Sequence, residues 1–158
     1  MAVRRAVAAP GGDTGNEEDG SVMVGLVLVG HSAEVVAGLA AMVRQAAPGV
    51  PVETAGGLSG GRLGTSGPDV LAALRRALEA ARGAGVVVLL DLGSAALSLD
   101  IALDELDPAD RTRVRVTEAP FVEGAVVGGV ASAGGADADV VVAAAEGAMR
   151  MPKLPRDA

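Results

Sequence analysis

The sequence predicts an α/β fold, with a doubly wound, mostly parallel sheet of four or five strands and helices on both faces. Short runs of consecutive Val and Leu residues are typical of strands that are buried on both faces. Helix-length segments with Pro or Gly at their ends separate these runs. Because the two kinds of segment alternate along the chain, they indicate strands joined by helical crossovers, which is the order that builds a parallel sheet.

The first half of the chain begins with the strongest strand pattern, a nearly continuous Val-rich run. The predicted elements are a strand at 22–29, a helix at 33–47, a strand at 52–55, a glycine-rich loop at 56–67 and a helix at 68–82. Pro48 and Gly49 end the first helix. The second helix has Pro68 in its first turn and Gly83 after its end, and its leucines recur on one face, so its boundaries are well marked.

The second half of the chain continues the alternation. The predicted elements are a wholly apolar strand at 86–90, a helix at 94–106, a strand at 114–117 and helices at 121–133 and 137–149. The helix at 94–106 is expected to end near Pro108, since proline cannot continue a helix.

The domain organisation follows from the composition of the two ends. Residues 1–21 contain few bulky apolar side chains and finish in a Gly-, Asp- and Glu-rich stretch, which predicts a disordered N-terminal extension. Residues 151–158, with two prolines and mixed charges, are expected to form a flexible tail. One folded domain at 22–150 remains between them, and it is long enough to bury a core of its own.

The composition excludes several classes of function. The chain has no Cys and a single His, which leaves no thiol chemistry and no visible metal site. A net charge of −7 and the presence of only one aromatic residue disfavour nucleic-acid binding. No apolar run approaches the ~20 residues that span a bilayer, and the start is too short for a signal peptide, so we expect a cytoplasmic protein without a membrane segment.

The candidate site is the edge where the predicted strands end, since ligands of open α/β sheets bind beyond the carboxyl ends of the strands. His31 follows the first strand and Asp91 follows the third. A neutral imidazole can attack a phosphoryl group, and a carboxylate can orient the ring and balance its charge. Backbone N–H groups at helix starts near Ser32, Thr65 and Ser94 are candidate donors to the phosphoryl oxygens.

The residues alone are also compatible with purely structural roles for this histidine and these serines. A single His after a strand is often a capping or solvated residue, and Ser32 and Ser94 are equally suited to cap helices. The glycine-rich loop contains neither G-x-G-x-x-G nor G-K-[ST], so the nucleotide-binding motifs are absent.

Four segments together resemble a known family. Val-Leu-Val-Gly-His-Ser at 27–32, Gly-Thr-Ser at 64–66, Leu-Leu-Asp-Leu-Gly-Ser-Ala at 89–95 and Ala-Pro-Phe-Val-Glu-Gly-Ala at 119–125 occur in order, with fitting spacing. They resemble DhaM, the phosphotransferase subunits of phosphoenolpyruvate-dependent dihydroxyacetone kinases, within the wider group of mannose-type IIA domains of the sugar phosphotransferase system (PTS). The resemblance extends over about residues 22–149.

The resemblance implies a mannose-type EIIA fold and a phosphoryl-carrier function. His31 matches the histidine that accepts phosphate from the phosphocarrier protein HPr, and Asp91 matches its carboxylate partner. The phosphate would then pass to ADP on the DhaL subunit, which works together with DhaK. The family also implies a homodimer with no cofactor. Some members of the family carry HPr-like and enzyme I-like domains after this one, and since the given residues contain only the first domain, we expect the phosphate to come from a separate HPr.

The sequence is compatible with two alternative functions. A mannose-type IIA component of a sugar-transport system usually carries Trp-Gly-Gly-Ser after the strand-three Asp, where this chain has Leu92-Gly93-Ser94. A non-catalytic regulatory module would use His31 only structurally. Phosphate on His31 separates the second alternative from the carrier function.

Overall fold

A computed structural model of the chain describes residues 21–154. The strands are β1 (Gly25–Gly30), β2 (Val52–Gly56), β3 (Val86–Leu90) and β4 (Val114–Val116). The helices are α1 (Ala33–Ala46), α2 (Gly67–Ala80), α3 (Ala95–Asp104), α4 (Pro108–Arg111), α5 (Phe121–Ala133) and α6 (Ala138–Gly147). Short 3₁₀ turns occur at Ser59–Gly61 and Ala148–Arg150.

The four strands form one sheet in the order β2-β1-β3-β4, and every neighbouring pair is parallel. This confirms the predicted α/β class, and within residues 21–154 the sheet has four strands and not five. From β1 the chain moves outward to β2, then crosses to β3 and moves outward to β4. The two halves therefore diverge between β1 and β3, which is the switch point where such sheets bind their ligands.

The central strands divide their side chains between two cores. Leu26 and Leu28 of β1 and Leu89 of β3 face a core that is closed by α1, α5 and α6. Val27 and Val29 of β1 face the opposite core, which α2 and α3 close. Because successive strand residues point to opposite faces, a strand with helices on both sides must be apolar at every position, as β1 is.

A hydrogen bond near the end of α5 shows in which direction this helix runs relative to the sheet. The hydroxyl of Ser132, in the last turn of α5, is fully buried and donates to the carbonyl of Val24, 2.7 Å away, just before β1. The C-terminal end of α5 therefore lies at the end of the sheet opposite to His31. The N-terminal ends of α1, α3 and α5 lie at the edge where the strands end.

Several boundaries differ from those that the sequence predicts. β1 begins at Gly25 rather than at residue 22, although Val24 is already buried. The helix predicted at 94–106 ends at Asp104, and a short unpredicted helix begins at Pro108. Proline ends the preceding helix, and its fixed φ suits the first position of the next one.

The predicted disorder of residues 1–21 falls almost wholly outside the described residues. Ser21 has no regular structure, as do Met151–Leu154 of the predicted tail, and residues 155–158 also lie outside the described range. Among residues 21–154, no helix combines the length and apolar character needed to cross a bilayer.

Candidate functional site

His31 lies directly beyond the end of β1, at the switch point of the sheet. β1 and β3 are paired with Val29 opposite Leu90, so the residues that follow the two strands come together. The backbone N–H of Asp91 donates to the carbonyl of Val29, 3.0 Å away, which extends the pairing by one step. Parallel pairing thus brings together two side chains that are separated by 60 residues in sequence.

The Asp91 carboxylate holds the His31 imidazole by one ring nitrogen. Its Oδ1 lies 3.0 Å from His31 Nδ1, and its Oδ2 accepts the backbone N–H of His31 at 2.8 Å. Oδ1 also accepts the backbone N–H of Leu92 at 2.7 Å. With the carboxylate fixed by two backbone donors, an ionised Asp91 selects the imidazole tautomer that carries its proton on Nδ1.

The second ring nitrogen of His31 points to Ser94. The Ser94 hydroxyl lies 3.0 Å from Nε2. Ser94 precedes α3, but its side chain makes no capping hydrogen bond. The side chain of His31 is 26% exposed and that of Asp91 17%. With the ring proton on Nδ1, the lone pair is on Nε2, the nitrogen that faces the Ser94 hydroxyl.

Two glycines permit this close packing, and sequence reasoning assigned neither a role. A Cβ atom on Gly30 would lie 2.8 Å from Val36 Cγ1 and 3.1 Å from Asp91 Oδ2. A Cβ atom on Gly56 would lie 2.9 Å from the carbonyl oxygen of Gly30 and 3.1 Å from that of Ser32. Each glycine is the last residue of its strand. In the sequence it looks the same as a glycine that only forms a turn, because no motif or spacing marks it.

Ser32 is the N-cap of α1. Its hydroxyl accepts the backbone N–H of Val35 at 3.3 Å and donates to Glu34 at 3.0 Å. Hydrogen bonds from the Glu34 backbone N–H and from the Ser32 hydroxyl lower the pKa of the exposed Glu34 carboxyl below its usual value. The Ser32 hydroxyl therefore makes its hydrogen bonds within the first turn of the helix, and its partners do not include His31.

Thr65 is tied to α3. Its hydroxyl lies 2.7 Å from that of Ser98, a residue that is 9% exposed and that sequence reasoning did not single out. One residue earlier, the backbone N–H of Gly64 donates to the carbonyl of His31 at 2.8 Å. The end of the glycine-rich loop is therefore hydrogen-bonded both to the backbone of His31 and to a side chain of α3.

A cleft of about 510 Å³ opens beside Asp91, between the ends of β3 and β4. Its walls include Leu92, Ala96, Val116 and Phe121, the chain's single aromatic residue. Within residues 21–154 no three His, Asp or Glu side chains are grouped closely enough to hold a metal ion. The chemistry that the residues of this site support is that of a nucleophilic imidazole supported by a carboxylate and a hydroxyl.

Residues 25–142 match the EIIA-man family, described as the PTS system fructose IIA component. The chain belongs to this family. The match covers the whole sheet, with His31 and Asp91 at the edge where its strands end. The prediction of a mannose-type EIIA domain is confirmed.

Among curated proteins, this EIIA-man chain is similar to DhaM subunits of dihydroxyacetone kinases. It is 35% identical over 136 residues to the phosphoryl donor subunit DhaM of Klebsiella michiganensis, and these residues are 84% of this chain and 28% of that protein. It is 37% identical over 131 residues to DhaM of Pantoea ananatis, covering 80% of this chain and 27% of that protein. The chain thus spans about a quarter of the length of these relatives.

A shorter relative matches over most of its own length. The phosphotransferase subunit DhaM of Lactococcus lactis is 32% identical over 101 residues, which are 64% of this chain and 76% of that protein. The predicted relationship to DhaM subunits is therefore confirmed.

The fold of this EIIA-man chain also occurs in a crystal structure of a protein of unknown function, EF1359. The two structures share 26% sequence identity and superpose with a TM-score of 0.68 over 78% of this chain and 93% of that one.

Proposed function

We propose that this chain is a phosphoryl-carrier subunit of dihydroxyacetone kinase and acts as a phosphotransferase. His31 accepts a phosphoryl group from phospho-HPr and passes it to ADP bound on the DhaL subunit, which works with DhaK. The relatives that support this proposal are named as DhaM subunits of such kinases. The chain functions in the cytoplasm as a homodimer and needs no cofactor or metal of its own.

The proposal rests on one observation: the two ring nitrogens of His31 contact different groups, one a carboxylate and the other a hydroxyl. Nδ1 is held 3.0 Å from Asp91 Oδ1, whereas Nε2 faces the Ser94 hydroxyl at the exposed edge of the site. A histidine that merely caps a helix needs no carboxylate fixed by two backbone N–H groups. A histidine that becomes a cation when phosphorylated does need a fixed negative charge nearby.

The transfer step follows from this geometry. The lone pair of Nε2 attacks the phosphorus of the donor's phosphohistidine, and a new N–P bond forms while the donor's N–P bond breaks. The electron pair of the broken bond stays on the donor imidazole, which leaves as a neutral ring. Nδ1 keeps its proton, and the Asp91 carboxylate balances the positive charge of the phosphorylated ring. Transfer to ADP reverses these roles, and an oxygen of the β-phosphate is the nucleophile.

The phosphoryl oxygens need donors near Nε2. The Ser94 hydroxyl is within reach of the new group after a rotation about its side-chain bond, since it already lies 3.0 Å from Nε2. Backbone N–H groups at the starts of α1 and α3 add partial positive charge. Thr65 contributes by holding the loop against α3, and Ser32 by capping α1.

Intact-mass measurement tests the proposal. The purified chain is incubated with phosphoenolpyruvate, enzyme I and HPr, and we expect one acid-labile phosphoryl group on the wild type and none on His31→Ala. Adding DhaL, DhaK and dihydroxyacetone should then discharge the phosphoryl group. Folded wild-type protein that stays unmodified with active donors would contradict the proposal.

A sugar-transport role is the second candidate, because the family carries the description of a fructose IIA component. A chain that is phosphorylated but not discharged by DhaL, and that instead donates to a IIB protein of a sugar permease, would favour that role.

A further inference from the structure

We propose that Arg62, in the glycine-rich loop between β2 and α2, binds the phosphoryl group carried by His31 and stabilises the phosphorylated state of the chain. The inference rests on the proposed function, since it assigns a further residue to the phosphoryl group of that same site. Arg62 is the one basic residue between Gly56 and Gly67.

The groups that contact the His31 ring supply no positive charge to a phosphoryl group. A phosphoryl group adds about two negative charges, and the described hydrogen bonds to the ring come from the Asp91 carboxylate and the Ser94 hydroxyl. The Glu34 carboxylate, which accepts from the Ser32 hydroxyl, adds further negative charge beside the site. Because Asp91 already balances the charge that the ring gains, the charge of the phosphoryl group itself calls for a separate cation.

The end of the glycine-rich loop is anchored on the side of His31 where the phosphoryl group forms. The backbone N–H of Gly64 donates to the carbonyl of His31 at 2.8 Å, and the hydroxyl of Thr65 lies 2.7 Å from that of Ser98. Ser98 comes four residues after Ser94, which places the two side chains on the same side of α3, and the Ser94 hydroxyl faces Nε2. The loop therefore passes beside both His31 and the hydroxyl near its reacting nitrogen.

Arg62 lies within reach of this position. It comes two residues before Gly64, so the Cα atoms of the two residues are at most about 7 Å apart. The carbonyl of Arg62 accepts the backbone N–H of Leu58 at 2.8 Å, which holds Arg62 at the base of the loop tip. An extended arginine side chain spans a distance similar to that Cα separation, so the guanidinium can be directed at the phosphoryl group.

The loop tip leaves the Arg62 side chain free to turn. Gly60 and Gly61 have φ angles of +74° and +75°, and an added Cβ on either would meet nothing within 4 Å. The Arg62 side chain is exposed, and its Nε lies 3.4 Å from the carbonyl oxygen of Ser59, which is longer than a usual N–H···O bond. Among residues 21–154, Arg62 forms no salt bridge. The guanidinium can therefore exchange its weak contact for a stronger one.

Four other arginines of the described residues already have carboxylate partners. The pairs are Arg76 with Glu53, Arg111 with Asp104, Arg113 with Asp110 and Arg115 with Asp139. Arg62 can bind a phosphoryl group without first giving up such an ion pair. Its planar fork of N–H donors also matches two phosphoryl oxygens at once, which makes guanidinium the side chain best suited to this contact.

The equilibrium of phosphoryl exchange with HPr tests the proposal. Phospho-HPr, freed of enzyme I, is mixed with the chain, and the intact masses of both proteins at equilibrium give the phosphorylated fraction of each. We expect Arg62→Gln to lower the equilibrium constant for phosphorylation of the chain about five- to tenfold, because a charge-assisted contact is lost. Arg62→Lys keeps the charge but not the fork, so it should recover part of this loss. Since Arg62 is exposed, the difference should shrink as the salt concentration rises.

The equilibrium constant distinguishes a contact with the phosphoryl group from a contact with the donor protein. A residue that only binds HPr changes the forward and reverse rates of transfer by the same factor, and the equilibrium constant stays as it was. A residue that binds the phosphoryl group on His31 stabilises one of the two products, and the equilibrium constant changes.

Arg82→Gln is the matched control. Arg82 is also exposed and, within residues 21–154, has no salt bridge, but it lies between the end of α2 and the start of β3, at the opposite end of the sheet from His31. The substitution removes the same charge, and we expect an unchanged equilibrium constant. Thermal melting checks that all three variants are folded.

The outcomes separate the two proposals. Wild-type protein that takes no phosphate on His31 from phospho-HPr would overturn the proposed function, and the inference with it. Normal phosphorylation of the wild type with an unchanged equilibrium constant in Arg62→Gln would overturn the role of Arg62 alone, whether or not the rates fall. An equal fall in Arg82→Gln would also overturn it, because the effect would then come from the overall charge of the chain.

Discussion

Asp91 accepts two hydrogen bonds from His31, one from the backbone N–H at 2.8 Å and one from the ring Nδ1 at 3.0 Å. The first bond fixes the carboxylate relative to β1, and the second fixes the ring relative to the carboxylate. The orientation of the imidazole is therefore set by the pairing of β1 with β3. Substitutions that disturb this contact should change both phosphoryl transfer and stability.

Asp91→Asn should slow phosphorylation of His31 on the order of 100-fold, because the neutral amide no longer balances the charge of the phosphorylated ring. It should also lower the free energy of unfolding by about 1–3 kcal/mol, since the amide NH₂ would face the donors of His31 or Leu92. The rate of transfer from phospho-HPr and a urea unfolding curve measure the two effects. A variant that is phosphorylated as fast as wild type would contradict the role of Asp91.

Gly30→Ala should damage the site without altering any reacting group. The added Cβ would lie 2.8 Å from Val36 Cγ1 and 3.1 Å from Asp91 Oδ2, so the carboxylate or the start of α1 must move. We expect lower stability and a loss of phosphorylation of at least about tenfold, since a displacement near 1 Å can cost about 100-fold in rate.

Gly38→Ala is the control for that substitution. Gly38 lies within α1, and nothing would lie within 4 Å of an added Cβ. Alanine there should raise the free energy of unfolding by about 0.5–1 kcal/mol and leave phosphorylation unchanged. If both glycine substitutions had the same effect on phosphorylation, the close approach at Gly30 would not be the cause.

Ser94→Ala should shorten the lifetime of the phosphorylated state several-fold, because a hydroxyl that reaches Nε2 is lost as a donor to the phosphoryl oxygens. The free imidazole should keep its proton on Nδ1, which Asp91 still holds, and ¹⁵N NMR of the His31 ring measures this directly. A change of tautomer in this variant would show that Ser94, rather than Asp91, selects it.

Ser32→Ala serves as the comparison for Ser94→Ala. Its hydroxyl caps α1 through the N–H of Val35, so its loss should lower stability by about 1 kcal/mol and leave the lifetime of phosphohistidine nearly unchanged. A lifetime shortened as much as in Ser94→Ala would place Ser32 among the phosphoryl-binding groups.

The different roles of Ser32 and Ser94 could not be predicted from the sequence. Both precede helices, so sequence alone assigned them the same alternatives, capping or phosphoryl binding. In the structure, Ser32 adopts extended backbone angles and caps its helix, whereas Ser94 has helical angles and turns its hydroxyl toward His31. This difference depends on how the β3–α3 turn is oriented against β1, and local sequence does not encode that orientation.

The sequence by itself determined the order of the four strands and the five longer helices, the parallel sheet and the edge that carries His31 and Asp91. Those features depend on local pattern: apolar runs must be buried on both faces, and chain breakers must lie between elements. Only the tertiary structure decided that Asp91 meets Nδ1 and Ser94 meets Nε2, and that Gly30 must lack a side chain. The contacts of Asp91 and Ser94 with His31 join residues 60 and 63 positions apart, and all of these features depend on strand register and close packing at distances near 3 Å. Register and packing arise only when all the elements assemble, so no short stretch of sequence contains them.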